Sequence, residues 1–202
     1  MTRHVIRRLL RLPRLLVLPL LVGSCRDITT VALEVETVDI VGGGEFIYVN
    51  DSVQLTAVAK SRGFTLTGRT PVWNTSNPNV ADVDGSGRVT GKSTGIVQVT
   101  ATVDQKSQTR TFEVRNPTPT LTALSHPTVP MGSGQFTMIV TGTGFLPVTV
   151  LRVDEVERPT TYISPTQVSM VVPANALTAP QTVQITAVNP APGGGVSNAL
   201  TF

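Results

Sequence analysis

Few stretches of this chain place reactive side chains at spacings that chemistry could use. Gly91-Lys92-Ser93 invites a phosphate-loop reading, but that loop needs a glycine where Ser86 stands. It also needs a following helix whose backbone N–H groups meet the phosphate, whereas Thr94, Gly95 and a β-patterned run follow. Asp82 and Asp84 alternate with Val83, so on a strand both carboxylates face one way. A hard cation wants about six oxygens, and no further acid is near in sequence, so the pair reads as a polar strand end before Gly85-Ser86-Gly87. Asp154, Glu155 and Glu157 read as a solvated turn between strands, because acid–base work needs two carboxylates held across a cleft in different environments. His126 precedes Pro127 in a loop, whereas a Ser-His-Asp relay needs a histidine held by a buried carboxylate, so it reads as a loop residue. One such histidine cannot fill the three or four ligand places of a zinc site. No catalytic residue, cofactor or metal is expected.

The remaining reactive group is Cys25, the chain's sole cysteine. It ends a leader that opens basic and turns leucine-rich, an export-signal pattern. Leu15 to Val22 is interrupted by Pro19 and is far short of the ~20 apolar residues a membrane span needs. Arg7-Arg8-Leu9-Leu10 reads as part of an ordinary basic leader rather than a twin-arginine motif, since arginines recur throughout the segment. Five of the 16 Lys and Arg residues (Arg3, Arg7, Arg8, Arg11, Arg14) precede Cys25 and no acid does, leaving 11 cations against 13 anions, a formal charge of −2. The basic balance of the whole chain therefore belongs to the leader, and a nucleic-acid partner is not expected.

Val22-Gly23-Ser24-Cys25 resembles the lipobox of bacterial lipoproteins. The resemblance implies cleavage before Cys25, a diacylglycerol on its sulfur and an acyl group on the new amino terminus, which together hold a protein stably at a membrane. Arg26 stands where an aspartate often retains lipoproteins at the inner membrane, which implies an outer membrane or the cell surface.

Beyond Cys25 the dominant period is two. Val53, Leu55, Ala57 and Ala59 alternate with polar residues; so do Val97, Val99, Ala101 and Val103, then Phe136, Met138 and Val140, then Val183, Ile185 and Ala187. Alternation marks half-buried strands, and turn residues recur at the spacing of a sandwich or barrel. The chain is expected to be all-β, with two tandem immunoglobulin-like sandwiches after a cleaved signal peptide. The expected divisions are a signal peptide at 1–24, a lipidated tether at 25–30, a first domain at 31–115, a proline-rich linker at 116–120 and a second domain at 121–202. Each domain is of the size that a sandwich of roughly seven strands needs, and neither retains a thiol for a disulfide.

Val72-Trp73-Asn74-Thr75-Ser76-Asn77-Pro78 with Val80-Ala81-Asp82-Val83, then Gly87-Arg88-Val89-Thr90-Gly91 and Gly95 to Thr102, resembles the bacterial Ig-like group 2 family. In that reading Trp73 is the large core residue, Asn77-Pro78 a turn, and Gly91 and Gly95 flank a loop. Thr141-Gly142-Thr143-Gly144-Phe145, Ser164-Pro165-Thr166-Gln167-Val168 and Asn189-Pro190 through Asn198 resemble the IPT/TIG family, another immunoglobulin-like fold.

The expected role is that of a lipid-anchored, non-catalytic envelope protein acting in adhesion, scaffolding or spacing, held to the membrane through Cys25, with a protein or polysaccharide ligand as partner. Two alternatives stay open: an accessory glycan-binding lipoprotein, and a subunit that polymerises through edge strands. For glycans, Phe64 in the Arg62-Gly63-Phe64 loop is the best exposed aromatic, with Arg62 beside it. The oligomeric state is left open.

Overall fold

Strand Gly95–Val103 shows how the sequence makes this fold: Val97, Val99, Ala101 and Val103 are all buried, while Ile96 and Gln98 between them are exposed. A strand sends successive side chains to opposite faces, so one face of each such strand must be covered by another sheet. The computed structural model describes residues 33–202; the leader, Cys25 and the expected tether lie outside the described residues.

The first sandwich holds β1 (Thr37–Val41), β2 (Phe46–Tyr48), β3 (Ser52–Gln54), β4 (Thr56–Ser61), β5 (Phe64–Thr65), β6 (Val72–Thr75), β7 (Ala81–Val83), β8 (Arg88–Gly91), β9 (Gly95–Val103) and β10 (Lys106–Arg115). One layer is the sheet β2-β10-β9-β6, in which β2 runs parallel to β10 and the other pairs are antiparallel. The facing layer comprises β1-β4-β5 and β3-β8-β7.

The run from Val53 to Ala59 reads as one strand in sequence, yet it changes partner midway. Val53 pairs Val89 of β8, whereas Ala57 pairs Ile40 of β1. The break falls at Leu55, fully buried, whose N–H donates to the Gly87 carbonyl at 2.9 Å. Period-two alternation reports which side faces the core and carries no information about the hydrogen-bonded neighbour.

Two apolar clusters fill this sandwich. One centres on Leu55, Val89, Val97, Val99, Phe112 and Val114, and the other on Val35, Val38, Ala59, Ala101 and Val103. Trp73 is half-buried and packs against both, so it joins the clusters without being the deepest core residue; the largest fully buried side chain here is Phe112. The Trp73 Nε1 atom is buried without a hydrogen-bond partner. Arg110 closes one end of the core, its guanidinium 4.9 Å above the Phe112 ring and donating to the Gly42, Gly43 and Gly44 carbonyls.

The second sandwich holds β11 (Thr120–Leu124), β12 (Phe136–Thr143), β13 (Val150–Val153), β14 (Val156–Arg158), β15 (Thr160–Ser164), β16 (Gln167–Val172), a 3-10 turn (Ala174–Leu177), β17 (Gln184–Asn189), β18 (Gly195–Val196) and β19 (Leu200–Thr201). Sheet β11-β12-β16-β15 faces β14-β13-β17-β18, with β19 also on β17. Met138, Val140, Phe145, Leu151, Val168 and Ile185 form the buried centre. Gly142 lies where backbones approach: a Cβ there would overlap the Thr120 carbonyl and sit 2.7 Å from Phe145 Cζ. The Gly in this motif thus lets β11 and the Phe145 ring reach β12.

Residues 116–120, expected as a proline-rich linker, are hydrogen-bonded to the second sandwich. Asn116, 5% exposed, donates its N–H to Pro192 O at 2.8 Å and its Nδ2 to Pro190 O at 2.8 Å, and its carbonyl accepts from Gly194 N at 2.7 Å. Asn189, 1% exposed, donates Nδ2 to Pro117 O and to Gly144 O, both at 2.8 Å, while its Oδ1 accepts from the Thr149 hydroxyl at 2.5 Å. Every polar atom of this buried amide is partnered, which is what buried amides require.

Gly142→Ala is expected to destabilise the second sandwich by about 2 kcal/mol or more, lowering its thermal midpoint by ~10 °C. A midpoint within a degree or two of the parent by calorimetry would contradict the close packing of β11 on β12. Asn189→Ala is expected to cost about 2–3 kcal/mol, because it strands a buried hydroxyl and removes the donor to two carbonyls. It should also open residues 116–120 to limited proteolysis; an unchanged cleavage pattern would show that the amide does not hold the segment.

Candidate functional site

The reactive groups singled out in sequence are each engaged locally. The N–H groups of Lys92 and Ser93, which a phosphate loop would aim at its ligand, both donate to Val80 O, at 2.8 and 3.2 Å. The Ser93 hydroxyl donates to Asn79 O at 2.8 Å, and Lys92 Nζ pairs with Asp82 Oδ2 at 3.0 Å. Asn77 to Val80 form the expected turn, with Val80 N–H donating to Asn77 O at 3.1 Å, and Gly91 and Gly95 flank the loop at the ends of β8 and β9.

Asp82 and Asp84 do not converge. Asp82 lies on β7 and is held below the usual carboxylate range chiefly by its hydrogen bond from Lys92. Asp84 follows in the turn, where Oδ1 accepts from the Ser86 hydroxyl (2.6 Å), Ser86 N (2.8 Å) and Arg88 N (3.0 Å). Those bonds, the Ser86 hydroxyl first, hold its carboxyl low as well. Charge-assisted bonds of this kind favour the ionised form, and here they build a β-hairpin turn. Among the described residues no group of three or more His, Cys, Asp or Glu side chains is placed to hold a metal.

The other acidic cluster is the β13–β14 hairpin. Asp154 (φ 46°) and Glu155 (φ 68°) form a two-residue turn with both residues left-handed, the type that matches strand twist. Asp154 Oδ1 accepts from Gln184 N at 2.7 Å, and Glu157 pairs with Arg152 at 2.8 Å. His126 sits in the loop after β11, its Nδ1 2.9 Å from the Ser125 hydroxyl and its ring 4.9 Å from that of Phe136.

Arg62 and Gly63 form another left-handed two-residue turn (φ 49° and 82°), joining β4 to β5, and Arg62 N–H donates to Glu36 Oε2 at 2.6 Å. Phe64 beside it is 75% exposed. Both stand on the layer opposite β2-β10-β9-β6, and Phe64 has no aromatic neighbour within stacking range among the described residues.

A different aromatic group stands on the outer face of β2-β10-β9-β6. Ile47 points inward from β2, so Phe46 and Tyr48 on either side point outward, each 39% exposed, their centroids 5.3 Å apart and their planes at 66°. On β10, Phe112 and Val114 are buried, so Glu113 and Arg115 point outward, in register with Phe46 and Tyr48. The Arg115 guanidinium lies 4.5 Å from the Phe46 centroid and donates Nε (2.8 Å) and Nη2 (2.5 Å) to Glu113 Oε2. That bonding raises the Arg115 pKa above its ordinary value. Beside this cluster stands Ile96, 72% exposed and in register with Glu113, and farther along the face come paired hydroxyls, Thr100 with Thr109 at 2.8 Å and Thr102 with Ser107 at 2.9 Å. The sequence signal for the cluster was the i, i+2 spacing of Phe46 and Tyr48, which Phe64, alone in its loop, lacks.

In the second sandwich, two clefts of about 600 and 760 Å³ meet at one end and share Ala176, Gln181 and Phe202. Their ionisable lining residues are Asp154, already bonded to Gln184, and Arg158. No helix among the described residues is long and apolar enough to cross a membrane.

Residues 47–114 match the family model of the bacterial Ig-like domain (group 2), and residues 119–202 match that of the IPT/TIG domain. No curated protein matches the chain. Among solved structures, domains 4 and 5 of the S-layer protein SbsC align at 19% identity over 82% of this chain and 98% of that chain, with a TM-score of 0.36. The longer SbsC fragment 31–844 is spanned over 28% of its own length. The Yersinia pseudotuberculosis adhesin InvE aligns at 14% identity over 82% of this chain and 58% of that chain, with a TM-score of 0.36. An intimin mutant from EHEC O157:H7 aligns at 23% identity over 46% of this chain and 51% of that chain, with a TM-score of 0.29. Alignments this loose assign no function. What the family models and the strand topology establish together is that the chain carries a group 2 bacterial Ig-like domain followed by an IPT/TIG domain.

Proposed function

We propose that this protein is a lipid-anchored, non-catalytic component of a bacterial cell envelope, with a binding or spacer role such as adhesion or scaffolding. The observation that carries the reading is the sole cysteine, Cys25, behind a basic and then leucine-rich leader. Acyl chains on its sulfur and amino group anchor the protein, since two or more chains give stable membrane binding where one does not. Residues 25–30 serve as a tether, and the first and second domains occupy 31–115 and 121–202, joined through 116–120. Arg26 favours the outer membrane or the cell surface as the final address. Tight local use of Asp82, Asp84, Asp154 and Glu157 in ion pairs and turns supports a scaffold role, because acid–base chemistry needs carboxylates free to exchange protons with a substrate.

Cys25→Ala is expected to move the protein from the membrane pellet to the soluble fraction, with the thermal midpoints of both domains unchanged. Retention of the variant in the pellet would refute the anchor.

A further inference from the structure

We propose that the outer face of β2-β10-β9-β6 in the first sandwich binds a neutral polysaccharide, with Phe46 and Tyr48 as the stacking residues and Glu113 and Arg115 as the hydrogen-bonding pair. This rests on the binding role proposed above and names its ligand class.

The residue types fit sugar chemistry. A pyranose ring has an apolar C–H face, which packs against an aromatic ring, and a rim of hydroxyls that both donate and accept hydrogen bonds. Phe46 and Tyr48 supply aromatic surface that is partly open, and Tyr48 adds a phenolic hydroxyl. The Glu113–Arg115 pair lies beside them, with Glu113 an acceptor and the guanidinium a fork of donors. Gln98 and Thr111 are register partners on the same face and extend it with amide and hydroxyl groups.

Charge decides between ligand classes. Among the described residues, the outward positions of these four strands carry Glu113 and Arg115 as their only charges, and these neutralise one another. Nucleic acid or an acidic polysaccharide calls for excess positive charge, which this face does not offer. Protein interfaces concentrate apolar anchors at a dry centre; here Ile96, 72% exposed and in register with Glu113, lies beside the aromatic pair and Val72 at the far edge, with hydroxyl and amide side chains filling the sheet between them. The ion pair also keeps Arg115 over the Phe46 ring, so the donor fork is in place before a ligand arrives.

The test uses the full chain, purified in a detergent without a sugar headgroup. The probes are insoluble cellulose and chitin in pull-downs, and dextran and mannan in affinity electrophoresis, with alginate as an acidic comparison. Retention on at least one neutral polysaccharide is expected, weakened about tenfold or more by Tyr48→Ala and by Phe46→Ser and unchanged by Phe64→Ala. Both replaced side chains point away from the core, so the thermal midpoint of each variant reports whether the fold is intact. Binding to none of the neutral probes, binding to alginate alone, or neutral binding that Tyr48→Ala and Phe46→Ser leave unchanged would overturn the proposal. Sedimentation velocity provides the remaining arm: a dimer dissolved by Tyr48→Ala would make this face a contact between copies and would also overturn it. Membrane anchoring is read separately from all of these, so loss of the ligand class leaves the envelope role standing.

Discussion

Strand β10 allows each side chain only two directions, and the rest of the first domain follows from that constraint. Burying Phe112 and Val114 between the layers forces Glu113 and Arg115 into solvent on the opposite side. The parallel partner β2 obeys the same rule through Ile47, which sets Phe46 beside Glu113 and Tyr48 beside Arg115. The core and the aromatic cluster on the surface are therefore one arrangement seen from its two faces. A one-residue slip of β2 against β10 would bury Phe46 and Tyr48 and expose Ile47, so the core enforces the surface geometry.

Both domains stand without a disulfide, because the only cysteine precedes them. Apolar packing must hold each sandwich, and domains of this size have little margin. The segment between them adds polar bonds at low solvent exposure, where hydrogen bonds are stronger and vacancies costly. Asn116 and Asn189 place their amides against the backbone of 117, 190, 192 and 194, so residues 116–120 are fixed to the second sandwich rather than left as free chain. For the binding role proposed above, a segment held in this way spends no ordering entropy when a ligand is engaged. If the proposed tether at Cys25 and the proposed polysaccharide contact both hold, many anchored copies facing one polymer would turn weak single contacts into strong attachment.

Much of the fold was legible in the sequence, and the failures are instructive. The Val97 to Val103 run showed its strand and its buried face directly, as did Phe136 to Val140. The Val53 to Ala59 run showed its buried face but hid the change of sheet at Leu55, because alternation continues unbroken through the switch. Trp73 drew attention as the largest side chain, yet Phe112 is deeper, and the polar start of β10 at Lys106 to Gln108 disguised its inward stripe. Phe46 and Tyr48 sit on a strand of three residues after Gly42-Gly43-Gly44, where their i, i+2 spacing is the whole of the signal. The pairing of Arg115 with Phe46 and of Asn116 with 190–194 joins residues distant in the chain, for which local sequence holds no signal.

Everything assigned to the surface of these domains acquires its setting from the lipid proposed on Cys25. Intact-mass and peptide mass spectrometry of the protein isolated from membranes tests that assignment most directly. The account expects an amino terminus at Cys25 carrying a diacylglycerol thioether and an amide-linked acyl chain. A chain that still begins at Met1, or a free thiol at Cys25, would contradict it.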